Sequence, residues 1–145
     1  MAEITMANPV RKPVPPPAPG FAEQAAVFTS FKALEKGIPA AWARSLESQG
    51  LTRDDIRRII PDRTLDRRIA AGENLKIEEA DGLARLLRVV RAARDLFEND
   101  QNADTFLRSP NPALGDRIPI HMAQTDIGAR EVETIIGRLA YGVYS

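Results

Sequence analysis

Between Ile77 and Glu98 the residues Leu83, Leu86, Leu87, Val90, Ala93 and Phe97 recur three or four positions apart. On a helix of 3.6 residues per turn they form one stripe, which Val89 and Leu96 widen. A stripe this broad needs more than one neighbour to cover it. Several helices of the same chain would do so, and so would a second copy across a dimer interface; the spacing leaves both open. No stretch alternates apolar and polar residues as a half-buried strand does. The pattern predicts an all-α fold.

Punctuation divides the rest of the chain into helices. Phe21, Ala25, Phe28, Phe31 and Leu34 keep a helical period up to a stop at Gly37. Ala40 to Gln49 reads as a second helix, with Trp42 and Leu46 on its inner side and Gly50 at its end. Thr52 with Asp55 three residues on has the form of a capping box and opens a helix carrying Ile56, Ile59 and Ile60. Pro61 breaks that helix, and Asp62 is the expected cap of the next, Arg63 to Ala71, which stops at Gly72. Gly82, inside the long helix, costs about 1 kcal/mol relative to alanine. Further on, Asn102 to Leu107 reads as a short helix and Ser109 to Arg117 as an ordered turn. Pro119 starts a brief helical turn, and Thr125 caps a last helix to about Tyr141, with Gly128, Val132, Ile135, Ile136 and Leu139 on one face. Before all of these, the prolines from Pro13 to Pro19 predict an extended, disordered arm over residues 1–20.

Composition narrows the chemistry. The 145 residues include no cysteine, which removes disulfides, thiolate metal sites and thiol nucleophiles. No apolar run approaches the length of a membrane span, and no signal peptide is visible, so a cytoplasmic location without membrane contact is expected. Charges balance overall but not locally. Residues 51–95 hold eleven basic and nine acidic side chains, whereas 98–145 hold four and seven. A basic middle and an acidic end suit two different partners.

Two segments carry candidate interfaces. From Leu51 to Gly72, two short helices around a proline break have the form of a helix-turn-helix, whose second helix enters the major groove. Arg63 and Arg67 are four apart and share a face, as do Thr64 and Arg68, while Leu65 and Ile69 point inward. Arginine reads guanine or holds phosphate, and threonine touches phosphate or a thymine methyl. Surface pairing of Asp66 with Arg63 or Arg67 would instead make the helix an ordinary solvated face. In the second segment, two prolines stiffen Ser109-Pro110-Asn111-Pro112. The last helix then runs to Gly142 and an end, Val143-Tyr144-Ser145, offering a tyrosine and a carboxylate as an anchor; a frayed terminus is the plain alternative.

No catalytic constellation emerges. His121 is the single histidine and has no acid–base partner near it in sequence. Glu78 with Glu79, and Glu131 with Glu133, point apart on a helix. No phosphate loop or calcium loop is present. The expectation is a protein that is not an enzyme and holds no cofactor or metal; a hydrolase using His121 is a minor rival.

The run Leu107-Arg108-Ser109-Pro110-Asn111-Pro112-Ala113-Leu114-Gly115-Asp116-Arg117, followed by Gly128-Ala129-Arg130-Glu131-Val132-Glu133 and by Gly137 to Ser145, resembles the toxin-binding domain of the Xre/MbcA/ParS antitoxins. The segment Ile60 to Arg68 is similar to the family's degenerate helix-turn-helix. Leu75 to Gly82 departs from the family's helix start, with Lys76 where a Ser or Thr cap is usual. After the proline-rich arm at 1–20, the resemblance implies an Xre-like helix-turn-helix and dimerisation domain at 21–98 and a small helical toxin-binding domain at 99–145. It implies an antitoxin that blocks the active site of a RES-domain toxin, a class that consumes NAD or transfers its ADP-ribose. Toxin contact then falls to Arg117, Arg130, Arg138, Tyr141, Val143, Tyr144 and Ser145. Operator DNA contact, with repression of the chain's own operon, falls to Arg63, Thr64, Arg67 and Arg68. A homodimer within a toxin–antitoxin hetero-oligomer is implied too. The alternative is a helix-turn-helix transcriptional regulator with no toxin partner.

Overall fold

The computed structural model describes residues 31–142. The proline-rich arm, the residues of the first expected helix before Phe31, and Val143, Tyr144 and Ser145 lie outside the described residues. Eight α-helices and no strand occur among those described. They are α1 (Phe31–Lys36), α2 (Trp42–Ser45, continued by a 3-10 turn Leu46–Gln49), α3 (Arg53–Ile59), α4 (Asp62–Ala71), α5 (Ile77–Phe97), α6 (Asp100–Arg108), α7 (Pro119–Met122) and α8 (Asp126–Ala140). A second 3-10 turn, Pro112–Leu114, lies between α6 and α7.

Helix α5 is the spine. Its stripe of Leu83, Leu86, Leu87, Val89, Val90 and Ala93 is buried, and α1, α3, α6, α7 and α8 all pack on it. Helices of the same chain therefore cover the stripe, and its breadth requires no second copy. One buried cluster runs from Ile38 to Ile136, so the segments before and after residue 98 share a core. An antiparallel link completes the small end, with Ala40 N–H donating to Glu73 O at 2.9 Å and Leu75 N–H to Ile38 O at 2.8 Å.

Most of the punctuation acts as its chemistry dictates. Thr52 Oγ1 accepts from Asp55 N–H at 3.1 Å, and Asp55 Oδ2 accepts from Thr52 N–H at 2.8 Å, which completes the capping box. Thr125 Oγ1 accepts from Gly128 N–H at 3.0 Å. Gly50 and Gly72 take the left-handed conformation that ends a helix cheaply.

Three details differ from expectation. Asp62 does not cap α4; Pro61 holds the cap position without a side-chain bond, and Asp62 is the first helical residue. Its carboxylate turns back to α3, accepting from Arg57 Nε at 3.0 Å beside Arg53 at 3.7 Å. Desolvation acts to raise this carboxyl, but the Arg57 hydrogen bond and the charges of Arg57, Arg53 and Arg44 outweigh it and hold Asp62 below its ordinary range. Leu139 leaves the core face: it is 41% exposed, because the final turn of α8 projects beyond its neighbours. Gly82 has a packing reason that the sequence hid. A Cβ there would lie 3.0 Å from Ile59 Cγ2, so the missing side chain lets α3 approach α5 and offsets the propensity cost.

Candidate functional site

An ion pair with a buried carboxylate ties α3 to α6. Asp55, 2% exposed, receives both arms of the Arg108 guanidinium, Nη1 to Oδ1 at 2.9 Å and Nη2 to Oδ2 at 2.8 Å. Arg108 also reaches Gly50 O at 3.2 Å. The hydrogen bond that Arg108 donates to Asp55, then the Asp55 charge, raises the Arg108 pKa against desolvation. Asp55, which completes the α3 capping box, thus also anchors α6, fifty-three positions away.

On the α3–α4 side, Arg63 and Arg67 lie exposed on the outer face of α4, with Thr64 half-buried beside them. Leu65 is buried and Ile69 packs against the core, as their spacing predicts. Arg68 does not join the outer face. It is 6% exposed and pairs with Glu79 of α5. The reason is helical register: Arg68 stands three residues after Leu65 and one before Ile69, on the inward side. Asp66 pairs with Arg44 of α2 rather than with Arg63 or Arg67. Among the described residues, Arg63 and Arg67 therefore have no carboxylate partner.

The α7–α8 side is built more firmly. Asn111 caps the 3-10 turn through Ala113 N–H at 2.9 Å, while its own N–H donates to Arg117 O at 3.0 Å. The turn closes with Gly115 and Asp116 both at positive φ, 67° and 61°, a conformation that Asp tolerates better than most side chains. Arg85 of α5 donates to Gln124 O at 2.8 Å and pins the α7–α8 corner. Arg88 clasps Glu133 of α8 with two bonds of 2.9 and 3.0 Å; that hydrogen bond, opposed by desolvation, raises the Arg88 pKa. Gly128 presses against the backbone of Met122 so closely that a Cβ would overlap its carbonyl.

Two hollows open on this support. One, of about 690 Å³, is walled by Arg117, His121, Met122, Ile127 and Glu131. The other, of about 350 Å³, is walled by Leu114, Ile127, Arg130, Thr134 and Arg138. Ile127 and Glu131 border both. Tyr141, 92% exposed, stands at the far end of the helix. Positions 127, 130, 134, 138 and 141 follow helical spacing along one face, and α8's 1.5 Å rise per residue makes that face about 21 Å long. The residues Arg117, Arg130, Arg138 and Tyr141 thus meet on one surface, whereas Val143, Tyr144 and Ser145 lie beyond the described residues. Nothing hydrogen-bonds to the His121 ring among the described residues, and they include no group of three side chains suited to a metal.

Ile127 escaped the sequence reading. It falls outside the α8 stripe, and the signal available was its isolation: a large apolar residue in a helical first turn with no apolar partner at i+3 or i+4. Met122 and Thr134 were equally invisible, and His121 and Glu131 stood out only as catalytic candidates, because only the fold brings the four to the same hollows.

Residues 92–142 match the family model described as the Antitoxin Xre/MbcA/ParS C-terminal toxin-binding domain. The proteins named Antitoxin Xre from Photorhabdus laumondii and Pseudomonas putida are 31% and 30% identical to this chain. The alignments cover 77% and 83% of it, and 78% and 76% of those proteins. The chain belongs to the Xre antitoxin family. Antitoxin Xre of Yersinia enterocolitica is 42% identical over 87 residues, 59% of each chain. The matched residues begin inside α5 and contain both hollows and the whole of α8.

Proposed function

We propose that this chain neutralises a RES-domain toxin by lying over its active site and shutting out NAD. The supporting observation is one of place: the part of the chain matched as a toxin-binding domain carries the exposed face of α8, the two hollows and Tyr141. Arg117, Arg130, Arg138 and Tyr141 make the docking face, and Val143, Tyr144 and Ser145 extend it into the toxin's entrance. A RES toxin's cleft receives the anionic phosphates of NAD, and a peptide segment lodged at its entrance would shut them out. The inhibition is steric and needs no catalytic group in the antitoxin. Removing the last three residues is expected to abolish growth protection when toxin and antitoxin are expressed together. Full protection by the truncated chain would contradict this.

A second activity is supported by the unpaired guanidiniums on α4. In this reading α3 and α4 form a helix-turn-helix, and Arg63, Thr64 and Arg67 meet operator DNA, while Arg68 holds α4 to α5. A homodimer, within a larger toxin–antitoxin assembly, would place two such units on the two half-sites of an operator. Changing Arg63 and Arg67 together to alanine is expected to weaken binding to the DNA upstream of the gene. If both contact phosphate, the slope of log affinity against log salt falls by about 1.8. A mobility-shift titration at several salt concentrations measures it. An unaltered slope and affinity would leave α4 without a DNA role.

A further inference from the structure

We infer that Ile127 is the central anchor of the toxin interface, an apolar ridge between two hollows that toxin side chains fill. The inference rests on the toxin-docking reading of the α7–α8 surface and assigns its energetic centre. Ile127 is 74% exposed at the second position of α8, where a helix favours acidic or polar residues and folding gains nothing from isoleucine. Its backbone is held from three sides. Thr125 caps the first turn, Gly128 is pressed on the Met122 carbonyl, and Arg85 fastens Gln124. A β-branched side chain on a helix has essentially one rotamer, so little freedom is lost when it is buried.

The surroundings fit an anchor. Ile127 borders both hollows, with Arg117 across one and Arg130 and Arg138 across the other. An apolar centre inside a polar rim is the usual anatomy of a protein interface. The occupant is the toxin rather than a second copy, because both hollows lie wholly within the toxin-binding family match and run on into the α8 face that leads to Tyr141. The toxin surface opposite would carry an apolar patch flanked by carboxylates facing Arg117 and Arg138.

The test uses the full chain and the RES-domain toxin that the docking reading assigns to it, with affinity measured by calorimetry and oligomeric state by sedimentation. Ile127→Asp suits the helix start and is expected to keep the melting temperature of the native chain. It should bind the toxin at least thirtyfold more weakly, about 2 kcal/mol. Ile127→Val should stay within threefold of the native chain. If the native chain binds and Ile127→Asp binds within threefold, Ile127 is not the anchor, although toxin docking stands. If Ile127→Asp splits a dimer of the free chain while toxin affinity holds, the ridge belongs to a contact between copies and the inference is overturned. If the native chain does not bind the toxin, the docking reading fails and takes the anchor with it.

Discussion

Replacing Arg108 by alanine is expected to destabilise the chain by about 3 kcal/mol, the lower end of the cost of breaking a buried ion pair. Asp55 sits at 2% exposure and receives two guanidinium bonds of 2.9 and 2.8 Å. Without them its carboxylate keeps only the Thr52 amide at 2.8 Å and is left buried with no guanidinium beside it. The lower end applies because Arg108 itself is partly solvated. The effect belongs to the pair, so a double-mutant cycle identifies it. Asp55→Asn removes the charge that Arg108 balances, and combining it with Arg108→Ala should cost well under the sum of the two single changes. Urea unfolding of the four proteins provides the free energies. Additive costs, or less than 1 kcal/mol for Arg108→Ala, would mean that the two halves are held by apolar packing alone. Because Asp55 raises the Arg108 pKa, the stability linked to the arginine's own proton is present below its ordinary value and is lost as pH rises through the raised one.

The second large effect is at Gly128. An alanine Cβ would lie 2.7 Å from the Met122 carbonyl carbon and overlap its oxygen. Backbone on both sides leaves no rotamer to relieve the clash, so α8 must lift from α7. The expected cost is about 3 kcal/mol, the upper part of the overpacking range, set against less than 1 kcal/mol gained in helix propensity. Lifting the first turn also moves Ile127 and both hollows, so toxin neutralisation should fail even where the protein remains folded. Gly137→Ala is the control. Nothing lies within 4 Å of its would-be Cβ, in the same helix, and it should gain up to about 1 kcal/mol. Thermal melts of the two variants should therefore move in opposite directions. A neutral Gly128→Ala would show that the α7–α8 corner is not the rigid support described above.

Helical periodicity made the architecture legible because caps and breakers act locally. The Thr52–Asp55 box and the Thr125 cap depend only on neighbours three residues away. The α5 stripe records its own burial in its spacing. Asp62 was misjudged as a cap because the guanidiniums that draw it away belong to another helix. Arg68 was legible in principle, since its register with Leu65 turns it inward, but the basic residues around it suggested a single charged face. Its partner Glu79 lies on α5, eleven residues on. The hollows beside Ile127 were not legible. They are made by the 3-10 turn and its loop, the one-turn α7 and the face of α8 from Ile127 to Arg138, and a contact between Gly128 and a backbone carbonyl seats α8 on α7.

The claim that the α8 face docks on the toxin is tested most directly by side-chain footprinting, with hydroxyl radicals, of the chain alone and in the toxin complex. Met122, Ile127, Leu139 and Tyr141 should react freely in the isolated chain according to their exposure, and Ile127 and Tyr141 should become strongly protected on toxin binding. A stable, neutralised complex in which both residues keep their free-state reactivity would contradict the account.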